Sequence, residues 1–121
     1  MIKSLLPQVL AREETEIELR LRLAIDADLP FFNGHFPGQS VLPGVTQLDW
    51  AVRFGCEHFG YDASVASLEV LKFQQLLLPG TEVDLLISNN AAKGKLTFAY
   101  SDGERRFGSG RIALAVNSRE S

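Results

Sequence analysis

The chain has 121 residues, 45% of them hydrophobic and 22% charged, with a formal net charge of −3. That is enough for one domain, 1–121, whose core needs neither disulfide nor metal, and the acidic balance argues against a general nucleic-acid binder, which needs surplus Lys and Arg. A single cysteine, Cys56, excludes an intrachain disulfide and a cysteine-built metal cage.

Met1 to Pro7 is too short an apolar stretch for a signal peptide. No apolar run approaches the ~20 residues that cross a bilayer. The expectation is a cytoplasmic protein that does not associate with membranes. Thr15 to Ala27 then alternates: Ile17, Leu19, Leu21, Leu23 and Ile25 on one side, Glu16, Glu18, Arg20, Arg22 and Asp26 on the other. Period two with one polar face predicts a half-buried antiparallel strand. Asp28 to Leu42 is rich in Gly and Pro and reads as an ordered loop.

From Val45 to Phe59 the period changes. Val45, Leu48, Val52, Cys56 and Phe59 recur at spacings of three and four, which predicts a helix with that face apolar. Trp50, Ala51 and Phe54 add apolar character elsewhere, so the helix is expected to be buried, with Asp49, Arg53 and Glu57 as a narrow polar stripe. Gly60 is placed to cap its C-terminus. Strand character follows over Val65 to Leu78, Thr81 to Ser88, Leu96 to Tyr100 and Arg105 to Val116. Turn signals separate these runs at Pro79-Gly80, Asn89-Asn90 with Lys93-Gly94, and Asp102-Gly103. One strand, one buried helix and four more antiparallel strands predict an α+β domain, a single sheet wrapped on a central helix in the hot-dog manner. Uncovered edges and apolar surface predict a homodimer or higher oligomer.

The chemistry concentrates in residues 31–49. His35 is set in a Gly/Pro loop, Asp49 follows on the helix, and Pro43-Gly44 opens that helix. A base, an acid and a helix N-terminus are the parts needed to remove a proton beside a carbonyl and expel a hydroxyl. His35 suits the base, since its ordinary pKa lies near neutrality. The N–H groups of Gly44 and Val45, unpaired at the helix start, suit a carbonyl oxygen gaining negative charge. Asp49 suits the acid. Plainer roles compete: His35 as a loop hydrogen bonder, Asp49 as half of an i,i+4 pair with Arg53, Gly44 as a packing glycine. Cys56, Trp50 and Phe54 read as core, and His58 as a cation favoured at a helix C-terminus.

The segments Phe31-Phe32-Asn33-Gly34-His35-Phe36-Pro37-Gly38 and Val41-Leu42-Pro43-Gly44-Val45 resemble the active-site region of the bacterial (3R)-3-hydroxyacyl-acyl carrier protein dehydratases. Leu71-Lys72-Phe73 with Leu78-Pro79-Gly80 resembles that family's later strand and Pro-Gly turn, and Gln47-Leu48-Asp49-Trp50-Ala51 resembles its aryl-polyene branch. The resemblance implies a hot-dog dimer, sometimes built into hexamers, with His35 and Asp49 catalytic and drawn from opposite subunits. It implies an acyl thioester on acyl carrier protein or coenzyme A as substrate, and no cofactor or metal. One departure stands out: the family usually has Gln where this chain has Arg53. An Arg53–Asp49 pair would leave Asp49 a poorer proton donor and makes Arg53 a residue that touches substrate or tunes the acid.

Two other functions are weighed against a lyase. A hot-dog thioesterase would use Asp49 on water or on the thioester, but His35-Phe36-Pro37 is foreign to that group. A non-catalytic subunit paired with a related active partner is the other, and Arg53 is its support. A basic patch for an acidic carrier protein is expected among Lys72, Arg105, Arg106 and Arg111, with Arg53 near the mouth.

Overall fold

The computed structural model describes residues 6–25, 42, 44–61, 65–78 and 80–114. The elements are β1 (Gln8–Glu14), β2 (Glu18–Ala24), α1 (Gly44–Phe59), β3 (Val65–Phe73), β4 (Glu82–Asn90), β5 (Lys95–Asp102) and β6 (Arg105–Leu114). The strands form one antiparallel sheet in the order β1-β2-β4-β5-β6-β3, and α1 packs across one face on β4 and β6.

Alternation decides which face meets the helix. Leu19, Leu21 and Leu23 of β2, Val83, Leu85 and Ile87 of β4, and Leu96, Phe98 and Tyr100 of β5 are all buried. Paired strands put them side by side, as in Leu21 opposite Leu85 and Leu85 opposite Tyr100. Each fully buried aliphatic or aromatic side chain contributes about 1.5–3 kcal/mol. Strand β6 answers the large rings of β5 with glycines: Gly108 stands opposite Tyr100 and Gly110 opposite Phe98. A Cβ on Gly110 would lie 2.7 Å from the Phe98 ring and 2.8 Å from the Val70 carbonyl oxygen. On the helix side, Gly55 lets α1 approach the sheet, since a Cβ there would lie 2.9 Å from Leu96 Cδ1.

The sheet has six strands rather than the five expected from sequence. The extra strand, β1, is exposed along its whole length, so no alternation marks it. Strand β3 stops at Phe73, short of Leu78, and residues beyond it turn inward to bury Leu77. Asn89 and Asn90 complete β4 instead of starting the connection. The predicted helix is present but rotated. Its buried residues are Thr46, Gln47, Trp50, Ala51, Val52, Phe54, Gly55 and Cys56, whereas Val45 is 71% exposed. Ile17, placed on the inner face by alternation, is also exposed and precedes the paired strand. Gly60 caps α1 as expected: it adopts φ 81°, and the N–H groups of Gly60 and Tyr61 both donate to the Cys56 carbonyl at 2.9 Å.

Candidate active site

The start of α1 is held from two sides. The Leu42 N–H donates to the Leu77 carbonyl at 2.7 Å, and this ties the approach to the helix to the segment that follows β3. Within the first turn, Gln47 is 3% exposed and its Nε2 donates to the Leu42 carbonyl at 3.3 Å. The hydroxyl of Tyr100 donates to the Gln47 carbonyl at 2.6 Å. Tyr100 is fully buried, and that burial, with the Asp49 charge adding to it, holds its phenol well above the usual pKa of 10.0. It is therefore a neutral donor that pins one turn of the helix to the sheet.

Phe73 closes the remaining side. Its ring lies against both Gly44 and Gly108: a Cβ on Gly44 would come within 2.5 Å of Phe73 Cε2, and one on Gly108 within 2.8 Å of Cδ1. The packing role considered for Gly44 is thus present. The first residue of α1 must be glycine-sized for the helix N-terminus to sit on the end of β3. Gln47 Oε1, beside the same contact, has no hydrogen-bond partner among the described residues.

Asp49 and Arg53 lie on another side of α1. Both are exposed, with side chains 50% and 62% accessible. Arg53 Nε donates to Asp49 Oδ2 at 2.8 Å, which is the i,i+4 pair anticipated from their spacing. Gly44 and Asp49 are five residues apart, so an α-helix turns them by roughly 140° from one another. In one chain, then, Gly44 meets the sheet while the Asp49 carboxylate faces outward. His35 lies outside the described residues, as does Pro43. Cys56 is buried and Trp50 fully so, in keeping with their reading as core.

Sequence reasoning did not assign Gln47, Phe73 and Tyr100 to this region. A signal existed for Gln47, an uncharged polar residue among the apolar positions of the helix. Phe73 is marked only as part of the Leu71-Lys72-Phe73 strand of the family resemblance, and none existed for Tyr100, whose alternation marks it only as a strand residue.

One antiparallel sheet wrapped on one central helix defines a hot-dog domain. The same fold, at 17% identity, occurs in the dehydratase domain from the CurF module of curacin polyketide synthase, with a TM-score of 0.66 over 96% of this chain and 48% of that one. Residues 11–111 match the family model described as ApeI-like, ApeI dehydratase, and the chain belongs to that family of hydro-lyases. It is 36% identical to a chain of the dehydratase heterocomplex ApeI:P from Xenorhabdus doucetiae, with a TM-score of 0.80 over 89% of this chain and 96% of that one. An uncharacterised protein from Erwinia carotovora subsp. atroseptica is 39% identical, with a TM-score of 0.77 over 91% and 96% of the two chains. Among curated relatives, the 3-hydroxyacyl-[acyl-carrier-protein] dehydratase FabZ of Bacillus velezensis is 30% identical over 74% of this chain and 72% of its own length. The FabZ of Desulfotalea psychrophila is 28% identical over 60% of this chain, which spans only 55% of that relative.

Proposed function

We propose that this chain dehydrates (3R)-3-hydroxyacyl groups carried as thioesters on acyl carrier protein to the trans-2-enoyl form, in fatty acid or polyene-type synthesis in the cytoplasm. His35 removes the C2 proton. The N–H groups of Gly44 and Val45 receive the thioester oxygen as it gains charge. Asp49 gives a proton to the C3 hydroxyl, which leaves as water, and no cofactor is required.

The observation that carries this reading is the geometry of α1. Its N-terminus is fixed on the sheet by Phe73, Tyr100 and the Leu42–Leu77 bond, while the Asp49 carboxylate, on another side of the helix, is half exposed. A half-exposed acid near that helix start is open to a second copy, and the likeness to the dehydratases implies that His35 and Asp49 of each site come from opposite subunits of a homodimer. The similarity to a chain of a dehydratase heterocomplex and the Arg53–Asp49 pair favour a second reading: a subunit that supplies one half of the site to a related but different chain.

The test is turnover of purified protein on 3-hydroxyacyl thioesters of several chain lengths, read by enoyl absorbance and by free thiol. Enoyl formation that His35→Ala lowers by about 10²–10⁴-fold is expected for loss of a positioned base. Thiol release without enoyl product would make the protein a thioesterase. Activity appearing only when a second hot-dog chain is added would establish the heteromeric reading.

A further inference from the structure

One buried group at the helix start has bonding capacity that the chain does not use. Gln47 is 3% exposed, and its Nε2 donates to the Leu42 carbonyl at 3.3 Å. That bond sets the orientation of the amide, because the flipped amide would place two acceptor oxygens against each other. Oε1 then points to the sheet, where a Cβ on Gly108 would lie 3.0 Å from it. It is buried and has no hydrogen-bond partner among the described residues. Water satisfies such an oxygen in the unfolded chain, so leaving it unpaired opposes folding. The bond to Leu42 does not explain it, since that bond uses only the donor end of the amide.

The acceptor stands beside donors. Gln47 belongs to the first turn of α1, as do Gly44 and Val45, whose N–H groups have no partner within the helix. The Phe73 ring joins the two. One of its edges meets Gly44, where a Cβ would lie 2.5 Å from Cε2. The other edge meets Gly108 and shares the space over that glycine with Gln47 Oε1. Phe73 is the last residue of β3 and is 45% exposed. Only apolar contact holds its ring, and withdrawal of the ring opens the slot between Gly44 and Gly108 onto the amide oxygen.

We propose that Gln47 recognises the substrate: its Oε1 accepts a hydrogen bond from the C3 hydroxyl of the acyl group. The identity of the ligand rests on the dehydratase reading above. A 3-hydroxyacyl thioester carries an acceptor, the carbonyl oxygen, and a donor, the hydroxyl, on carbons separated by one methylene. The first turn of α1 offers the complement, with donors at Gly44 and Val45 and an acceptor at Gln47. A neutral amide holds the hydroxyl hydrogen and leaves the oxygen lone pairs free for the acid that protonates it. A saturated or enoyl group has no hydroxyl and leaves Oε1 unpaired. A site built to bond a hydroxyl rejects analogues that lack it far more strongly than an apolar pocket can. The same loss of the hydroxyl favours release of the enoyl product.

The test measures binding of two ligands to the full chain, a 3-hydroxyacyl and a saturated acyl pantetheine of equal length. Each carries an amide in place of the thioester, so that neither turns over. The wild type should bind the hydroxylated ligand more tightly by on the order of tenfold. Gln47→Met, or Gln47→Leu where the Met variant does not fold, should cut that preference to less than about twofold by weakening the hydroxylated ligand. Gln47→Glu should keep the preference at mildly acidic pH, since a buried neutral carboxyl donates to the Leu42 carbonyl and retains an acceptor oxygen. A wild type that binds both ligands equally overturns the assignment. So does an apolar variant that weakens both equally, which would leave Gln47 only its bond to Leu42. Dehydration of the matching thioester by a wild type without the preference overturns the assignment and leaves the dehydratase reading intact. A preference abolished by the apolar variant, in a chain that dehydrates no thioester, upholds the contact and removes the dehydratase reading.

Discussion

Gly44→Ala tests whether the helix N-terminus is seated by Phe73. The new Cβ would lie 2.5 and 2.6 Å from two ring atoms, against an ordinary carbon–carbon contact of about 3.5–4.0 Å. The ring must retreat by roughly 1 Å to restore that distance. Phe73 is 45% exposed, so it can swing outward, but it then loses its contact with Gly108 as well. Overpacking of this kind costs about 1–3 kcal/mol. Replacing Gly by Ala in a helix returns up to about 1 kcal/mol, so the net effect of the single substitution is small and its sign uninformative. The coupling is the sharper quantity. In Phe73→Ala the obstruction is gone, and Gly44→Ala should become neutral or stabilising. Urea unfolding of the four proteins, at one fixed concentration because association shifts apparent stability, should give an interaction energy of about 1–2 kcal/mol. Additivity within about 0.5 kcal/mol would refute the account of Gly44 as a residue kept small by Phe73.

Further outcomes follow from the same geometry. The Tyr100 phenol is held well above its usual pKa of 10.0 by burial, so the unfolded chain ionises there first and stability should fall as pH rises past 10.0. Tyr100→Phe should cost about 0.5–1.5 kcal/mol at neutral pH through the lost bond to Gln47 and should flatten that alkaline slope; an unchanged slope would place its origin elsewhere. Arg53→Gln removes an exposed ion pair and should change folding free energy by less than about 1 kcal/mol, so a loss above twice that in thermal or urea unfolding would contradict the exposed geometry. His35→Ala and Asp49→Ala should each be inactive alone. After subunit exchange they should recover roughly a quarter of wild-type activity, since half the dimers are then hybrids with one intact site. No recovery, with exchange verified by mass spectrometry of tagged chains, would mean that each site is built from one chain or excludes Asp49.

The sequence by itself determined the elements whose residues have one wet and one dry face. The β2 run Leu19, Leu21, Leu23 and the β4 run Val83, Leu85, Ile87 are legible because period two coincides with burial on one side. The existence of α1 and its polar stripe Asp49, Arg53 and Glu57 were legible for the same reason at period 3.6, and the segment around His35 carried the family. Strand β1 was not legible, because an edge strand exposed on both faces needs no hydrophobic pattern. Nor was the rotation of α1: its residues are apolar on several sides, so periodicity left the buried face open. Contact with the glycines and rings of β3, β5 and β6 decided it, turning Val45 outward and Gln47 inward. The outward face of Asp49 and the seat of Gly44 on Phe73 likewise exist only once segments distant in sequence lie side by side. Hydrophobic period is a property of one segment, whereas a seat for a helix end is a relation between segments that only packing sets.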